Sequence, residues 1–189
     1  TNVETGVVSN NGDPNLAGSY TGIRIDNSSS VKVKDLKLDQ RDYGIAAVTG
    51  NTSLTFDNLD VSGNGLGTGI DIRGNGHRLS TIKANYRATG IYAVSTSDLG
   101  VAGLTATNDQ YGLYLSGASG ATATPPTLSG LDLQNNAIAF YLVWAGAAWN
   151  FAAGDVITSV AGSATGLRVE SSTGVTIDGL TFTRYGDDR

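Results

Sequence analysis

The chain has no cysteine and no methionine, three prolines, one histidine, and no apolar run long enough to cross a membrane. Without cysteine there is no disulfide framework, no thiolate metal site and no thiolate nucleophile. Without a long apolar run, and with no charged-then-apolar leader at its start, the sequence predicts no membrane insertion. A net charge of -5 argues against a nucleic-acid partner. Basic residues are missing from one region altogether: no Lys or Arg occurs from residue 88 to 167, whereas nine of the twelve lie between Arg24 and Arg87. In that same region fall Tyr92, Tyr111, Tyr114, Tyr141, Trp144 and Trp149. One half is polar and charge-rich, the other aromatic and nearly uncharged.

Glycine is what the chain has in plenty, with 26 in 189 residues, and 40% of the sequence is hydrophobic. That is enough apolar content to fill the core of one domain, and the glycines, Asn, Asp and Ser point to many tight corners rather than long helices. Seven times a small residue opens an aliphatic, any, aliphatic triplet, at Gly22, Gly44, Gly69, Gly90, Gly112, Ala139 and Gly166, at intervals of 22, 25, 21, 22, 27 and 27. Further alternating runs follow each triplet, such as Val31-Lys-Val then Leu36-Lys-Leu, and Leu54-Thr-Phe then Leu59-Asp-Val. A period near 24 made of two-residue alternation predicts a solenoid of about seven coils with three short strands each. In each triplet the aliphatics point inward and the middle residue outward, and like residues stack at about 4.8 Å.

These repeats resemble the right-handed parallel β-helix superfamily, which includes pectate lyases, alginate epimerases, phage tailspikes and NosD-like repeat proteins. Asn108 and Asn135, with Asn64 close to register, resemble its asparagine corners, where Asn tolerates left-handed backbone and bonds its own turn. The resemblance implies an all-β solenoid over residues 21–185, with 1–20 as a partial coil or N-terminal cap and 186–189 as an end that looks cut through a repeat. Two insertions, 118–127 and 143–155, account for the longer intervals. The resemblance also implies an extracellular or cell-surface location, and it spans enzymes, adhesins and inert scaffolds alike.

The outward column of the first sheet reads Arg24, Ala46, Asp71, Tyr92, Tyr114, Tyr141, Arg168. Three tyrosines in consecutive coils predict a flat aromatic strip, which either stacks on the apolar faces of sugar rings or simply stabilises a parallel sheet. The apolar insertion after Tyr141 adds Trp144, Trp149 and Phe151 as a groove wall or lid. Asp71, Tyr92, Tyr114, Tyr141, Trp144, Trp149 and Arg168 are therefore the ligand-binding candidates. A second cluster, Arg73, His77, Arg78, Lys83 and Arg87, lies within 15 residues. A lyase acting on uronates needs a cation for the carboxylate and a base for the C5 proton, so Arg73, His77 and Lys83 are the catalytic candidates. His77 sits in Gly74-Asn-Gly-His-Arg, which reads as an exposed turn.

Lys37, Asp60, Lys83, Thr105 and Asp132 alternate in charge along the outward column of another sheet and read as register control. No cofactor is implied. Calcium could be held by Asp26, Asp39 or Asp187 with Asp188, although these also serve as ordinary turn residues. The clustered aspartates with Gly-His-Gly of pectin hydrolases and the Asp-Pro-His-Glu of alginate epimerases are absent. The first reading is thus a non-catalytic module that presents its aromatic face to polysaccharide or to like subunits. A polysaccharide lyase or epimerase using the basic third coil is the alternative, and a fibre subunit stacking end to end is a third.

Overall fold

A computed structural model describes residues 2–8, 21–38, 42–117, 127–144, 149–159, 165–175 and 177–184. Its strands are β1 (Asn2–Val8), β2 (Thr21–Asp26), β3 (Lys32–Leu38), β4 (Tyr43–Thr49), β5 (Thr55–Asp60), β6 (Thr68–Asn75), β7 (Arg78–Lys83), β8 (Thr89–Ser97), β9 (Gly100–Thr105), β10 (Tyr111–Ser116), β11 (Thr127–Asp132), β12 (Ile138–Val143), β13 (Trp149–Ser159), β14 (Thr165–Glu170) and β15 (Ile177–Arg184). The even-numbered strands form one parallel sheet in the order β14-β12-β10-β8-β6-β4-β2, and the odd-numbered strands form the other, from β1 to β15. The chain alternates between the two sheets, so each coil adds one strand to each. This is the all-β parallel solenoid that the repeat predicts. Five turns, from β2 and β3 to β10 and β11, have side chains described on both sheets, against the expected seven.

The expected third strand is not separate. Val33 and Leu36 both belong to β3 and both are buried, although three residues apart. Asp35 between them has a left-handed backbone (φ 55°), as do Asn58 (49°), Thr81 (53°), Gly103 (71°) and Gly130 (59°) at the same place in β5, β7, β9 and β11. One left-handed residue bends the strand and resets which side chains face inward, so both arms feed the core.

Inside, like residues stack coil on coil. Ile45, Ile70, Ile91, Leu113 and Phe140 form one column of the even sheet, while Val33, Phe56, Leu79, Val101 and Leu128 form one of the odd sheet, all at most 2% exposed. Burying each such side chain contributes about 1.5–3 kcal/mol. Ala47 and Ala93 alternate with Ile72 and Leu115 in a neighbouring column, and the coil with the small Ala47 carries the large Phe56. The glycine that opens the triplets has a packing reason. A Cβ on Gly44, Gly69 or Gly90 would meet the carbonyl oxygen of the next coil's glycine at 2.5–2.6 Å, so only glycine lets the coils close up there.

The insertions fare differently. Residues 118–126 lie outside the described residues, as do 9–20 and 185–189. The second insertion is not wholly a loop, because Trp149 and Phe151 lie within β13, whose register against β15 shifts between Asn150 and Asp155. The extra residues there are absorbed as a strand irregularity. β1 pairs in parallel with β3.

Candidate functional site

On the outer face of the even sheet, the column read from the sequence is reproduced residue by residue: Arg24 beside Ala46, then Asp71, Tyr92, Tyr114, Tyr141 and Arg168. Ring centroids of Tyr92 and Tyr114 are 4.7 Å apart, and those of Tyr114 and Tyr141 are 4.6 Å apart. These equal the spacing between neighbouring strands, about 4.8 Å. Phenol rings lying flat side by side need more room than that, so the rings lean face towards face, tilted by 47° and 30°. The expected flat strip is therefore a leaning stack whose edges and hydroxyls form the surface. Tyr111, which sequence reasoning did not place in the site, joins it from the next column, 5.4 Å from Tyr114 and stacked on Tyr141 at 5.8 Å. Its Tyr-Gly start, shared with Tyr43, was the signal for that second column.

The stack is closed at one end by charge. Arg168 lies 5.2 Å over the Tyr141 ring and donates to the Glu170 carboxylate, which also accepts the Tyr141 hydroxyl at 2.5 Å. That hydrogen bond pushes the Tyr141 hydroxyl up to about 12, and it holds the Glu170 carboxyl below its usual range with help from Arg168. Burial raises Tyr114, with the neighbouring phenols adding to it. The hydroxyls of Tyr92 and Tyr114 have no hydrogen-bond partner among the described residues. At the other end Asp71, 6% exposed, is 3.4 Å from the Arg73 guanidinium. Burial raises its carboxyl, outweighing that arginine, and its Oδ1 is buried without a partner.

Trp144 stands three residues beyond Tyr141 and is 65% exposed. It shares its corner position with Gly117 and Ser171 of the adjacent coils, as the bonds Gly117 N to Val143 O and Trp144 N to Glu170 O show. All three are left-handed, with φ of 60°, 52° and 47°. Small residues take that conformation readily, and a bulky one there is an outlier. Trp149 lies in β13.

The basic cluster does not assemble. His77 is fully buried rather than in an exposed turn. Its Nδ1 accepts the Leu54 N–H at 3.1 Å, and its Nε2 donates to the Arg73 carbonyl at 3.1 Å. Both nitrogens serve the backbone and burial lowers its pKa, leaving the neutral ring as a corner support without a lone pair for a substrate proton. Arg73 faces out beside Asp71, and Arg78 is held by the Asp98 carboxylate at 2.8 Å. Arg87 is buried with its Nε donating to the Val61 carbonyl at 2.7 Å, and Lys83 is exposed on the odd sheet. Closeness in sequence has scattered these residues around one coil.

Lys83 lines a shallow groove of about 260 Å³ with Lys37, Asp60, Asn58 and Asp35. Lys37, Asp60 and Lys83 are in register as expected, yet no ion pair joins them among the described residues. No cluster of three metal-ligating side chains occurs among the described residues. Asp26 is engaged by Arg24 at 2.5 Å, while Asp39, Asp187 and Asp188 lie outside the described residues.

The asparagine corners are only partly as read. Asn108 (φ 61°) and Asn135 (58°) are left-handed as expected, but the ladder inside the corner is built one residue further on, by Asp109 and Asn136. The sequence profile described as right handed beta helix region matches residues 21–142, well over half of the chain. The chain belongs to the right-handed β-helix family. No curated protein and no solved structure matches this β-helix. Within the matched span lie the tyrosine stack and the basic coil, with Trp144 just beyond it.

Proposed function

We propose that this β-helix is a non-catalytic module of an exported or surface protein that takes a polysaccharide chain on the outer face of its even sheet. The observation that carries the reading is that Tyr92 and Tyr114 in adjacent coils hold phenol hydroxyls without a protein partner among the described residues, while an exposed indole stands at a strained corner three residues beyond Tyr141. A sugar ring offers the matching chemistry, an apolar C–H face for the indole and hydroxyls for the phenols. The location is inferred from the family resemblance. The scattering of Arg73, His77 and Lys83 favours this reading over a lyase, which needs a cation and a base facing one sugar.

Affinity electrophoresis on neutral and uronate polysaccharides tests it. Retardation of the wild type on at least one gel is expected. Trp144→Ala and Tyr114→Ala should each weaken it about 2–10-fold, matching about 0.5–1.5 kcal/mol per aromatic contact, while Trp144→Ala leaves the fold's circular dichroism unchanged. No retardation on any gel, or equal retardation in both variants, would overturn the reading. Unsaturated product from a uronate, seen by ultraviolet absorbance, would replace it with the lyase.

A further inference from the structure

The corner between the odd strands and the next even strands contains a ladder of unlike side chains. Arg87, Asp109 and Asn136 each follow by three residues the stacked positions Ala84, Ala106 and Leu133. The rungs repeat one pattern. Asn136 accepts the Asp109 N–H at 2.8 Å through Oδ1 and donates through Nδ2 to the Ala106 carbonyl at 2.7 Å. Asp109 accepts the Arg87 N–H at 2.6 Å through its own Oδ1. Arg87 Nε donates to the carbonyl of Val61, which precedes Ala84 in the stack, at 2.7 Å.

One bond is missing from this series. By position the partner of Asp109 Oδ2 is the Ala84 carbonyl, which accepts no hydrogen bond among the described residues. Asp109 Oδ2 is itself buried without a partner. It occupies the place of an amide nitrogen, because it would lie 3.0 Å from a Cβ on Gly90, just as Asn136 Nδ2 would lie 2.5 Å from one on Gly112. A carboxylate cannot donate there, whereas a carboxylic acid can.

We infer that Asp109 is a neutral acid in the folded chain, its Oδ2 hydroxyl standing in for an asparagine amide and donating to the Ala84 carbonyl, so that deprotonation unlatches this corner. Burial pushes the Asp109 carboxyl up to about 8, outweighing the Arg87 N–H and the Arg87 guanidinium that favour the anion. Arg87 is the charged group facing it, and that guanidinium is turned to the carbonyls of Val61 and Ser62 in the preceding coil. Asn136 on the other side is uncharged, and Gly90 brings no side chain.

The folded pKa lies above the unfolded one, so the folded chain holds a proton that the unfolded chain has lost. The stabilisation is therefore complete below the unfolded value, declines as pH rises, and is gone once pH passes about 8. The test is denaturant unfolding of the wild type and Asp109→Asn at a series of pH values. The ratio of their unfolding constants should grow in the wild type's disfavour about tenfold per pH unit between about pH 5 and about pH 8, then level off. A ratio that stays flat would overturn the inference. Carboxyl carbon NMR of the wild type gives a second readout that does not depend on the variant folding. An Asp109 signal still protonated at neutral pH supports the inference, and one titrating in the ordinary carboxylate range defeats it.

Discussion

The two corners of each coil solve one problem with different chemistry. Where an even strand turns into an odd one, the buried polar groups are neutral. Asn51 accepts the Ser28 N–H at 3.1 Å and donates to the Ile25 carbonyl at 2.9 Å, and in the next coil His77 bridges Leu54 and Arg73. Where an odd strand turns back, the corresponding groups run through guanidinium, carboxyl and amide in three consecutive coils. Stacked coils leave backbone donors and acceptors at each corner with no ladder partner, and a buried one without a partner is costly. Any side chain reaching one coil down satisfies them, so the fold tolerates different residues. What the choice of residue decides is how the corner responds to pH.

The largest effect should come from removing a rung whose two bonds are both in place. Asn136→Ala strands the Asp109 N–H and the Ala106 carbonyl, and Asn51→Ala strands the Ser28 N–H and the Ile25 carbonyl. At about 1–3 kcal/mol per buried group left unsatisfied, each should lose about 2–6 kcal/mol in denaturant unfolding, with the Asn51 variant nearer the lower figure because Ser28 is only part-buried. If Asn136→Ala loses less than about 1 kcal/mol, water or a rearranged turn replaces the amide and the two corners are not equivalent.

His77 sharpens the comparison through the opposite sign of its pH response. Burial lowers its pKa, so the unfolded chain takes up a proton on acidification that the folded chain refuses. Stability from His77 is thus complete above the ordinary imidazole value of about 6.5 and is lost as pH falls from there towards the folded pKa. His77→Gln should remove the His77 part of the loss below about pH 6.5 and leave unchanged the decline up to about pH 8 that we assign to Asp109. An acid limb unchanged in that variant would mean that carboxylates elsewhere produce it.

The faces of the strands were legible in the sequence and the corners were not. Alternation carries side-chain direction through each glycine-opened triplet, so the column from Arg24 to Arg168 stands in its predicted register, although Val169 in the last triplet is 43% exposed rather than inward. Each left-handed residue resets that alternation, and the corners hold several, such as Gly74 and Gly76 around Asn75. His77 therefore read as an exposed turn residue while its ring is buried. Asn135 read as the corner asparagine while Asn136 makes the buried bonds. Alternation places the tyrosines in one column but cannot tell a flat strip from a leaning stack, because spacing along the sheet does not fix ring tilt. Tyr111 was missed because it belongs to a neighbouring column and reaches Tyr141 on the diagonal.

The smallest effect concerns the outer column of the odd sheet, where the contrast with the buried corners is greatest. Lys37, Asp60 and Lys83 follow one another in register, an alternation that would favour correct pairing if the charges met. They do not form ion pairs, and Asp60 Oδ1 instead accepts the Ser62 N–H at 3.1 Å. Asp60→Asn separates the two roles, since the amide oxygen keeps the Ser62 bond while the charge is removed. The variant should change stability by less than about 0.5 kcal/mol, and the difference should not respond to added salt. A loss above about 1 kcal/mol that salt abolishes would show long-range attraction setting the register on this face. Register would then depend on charge at the surface as well as on the aliphatic columns and corner rungs beneath it.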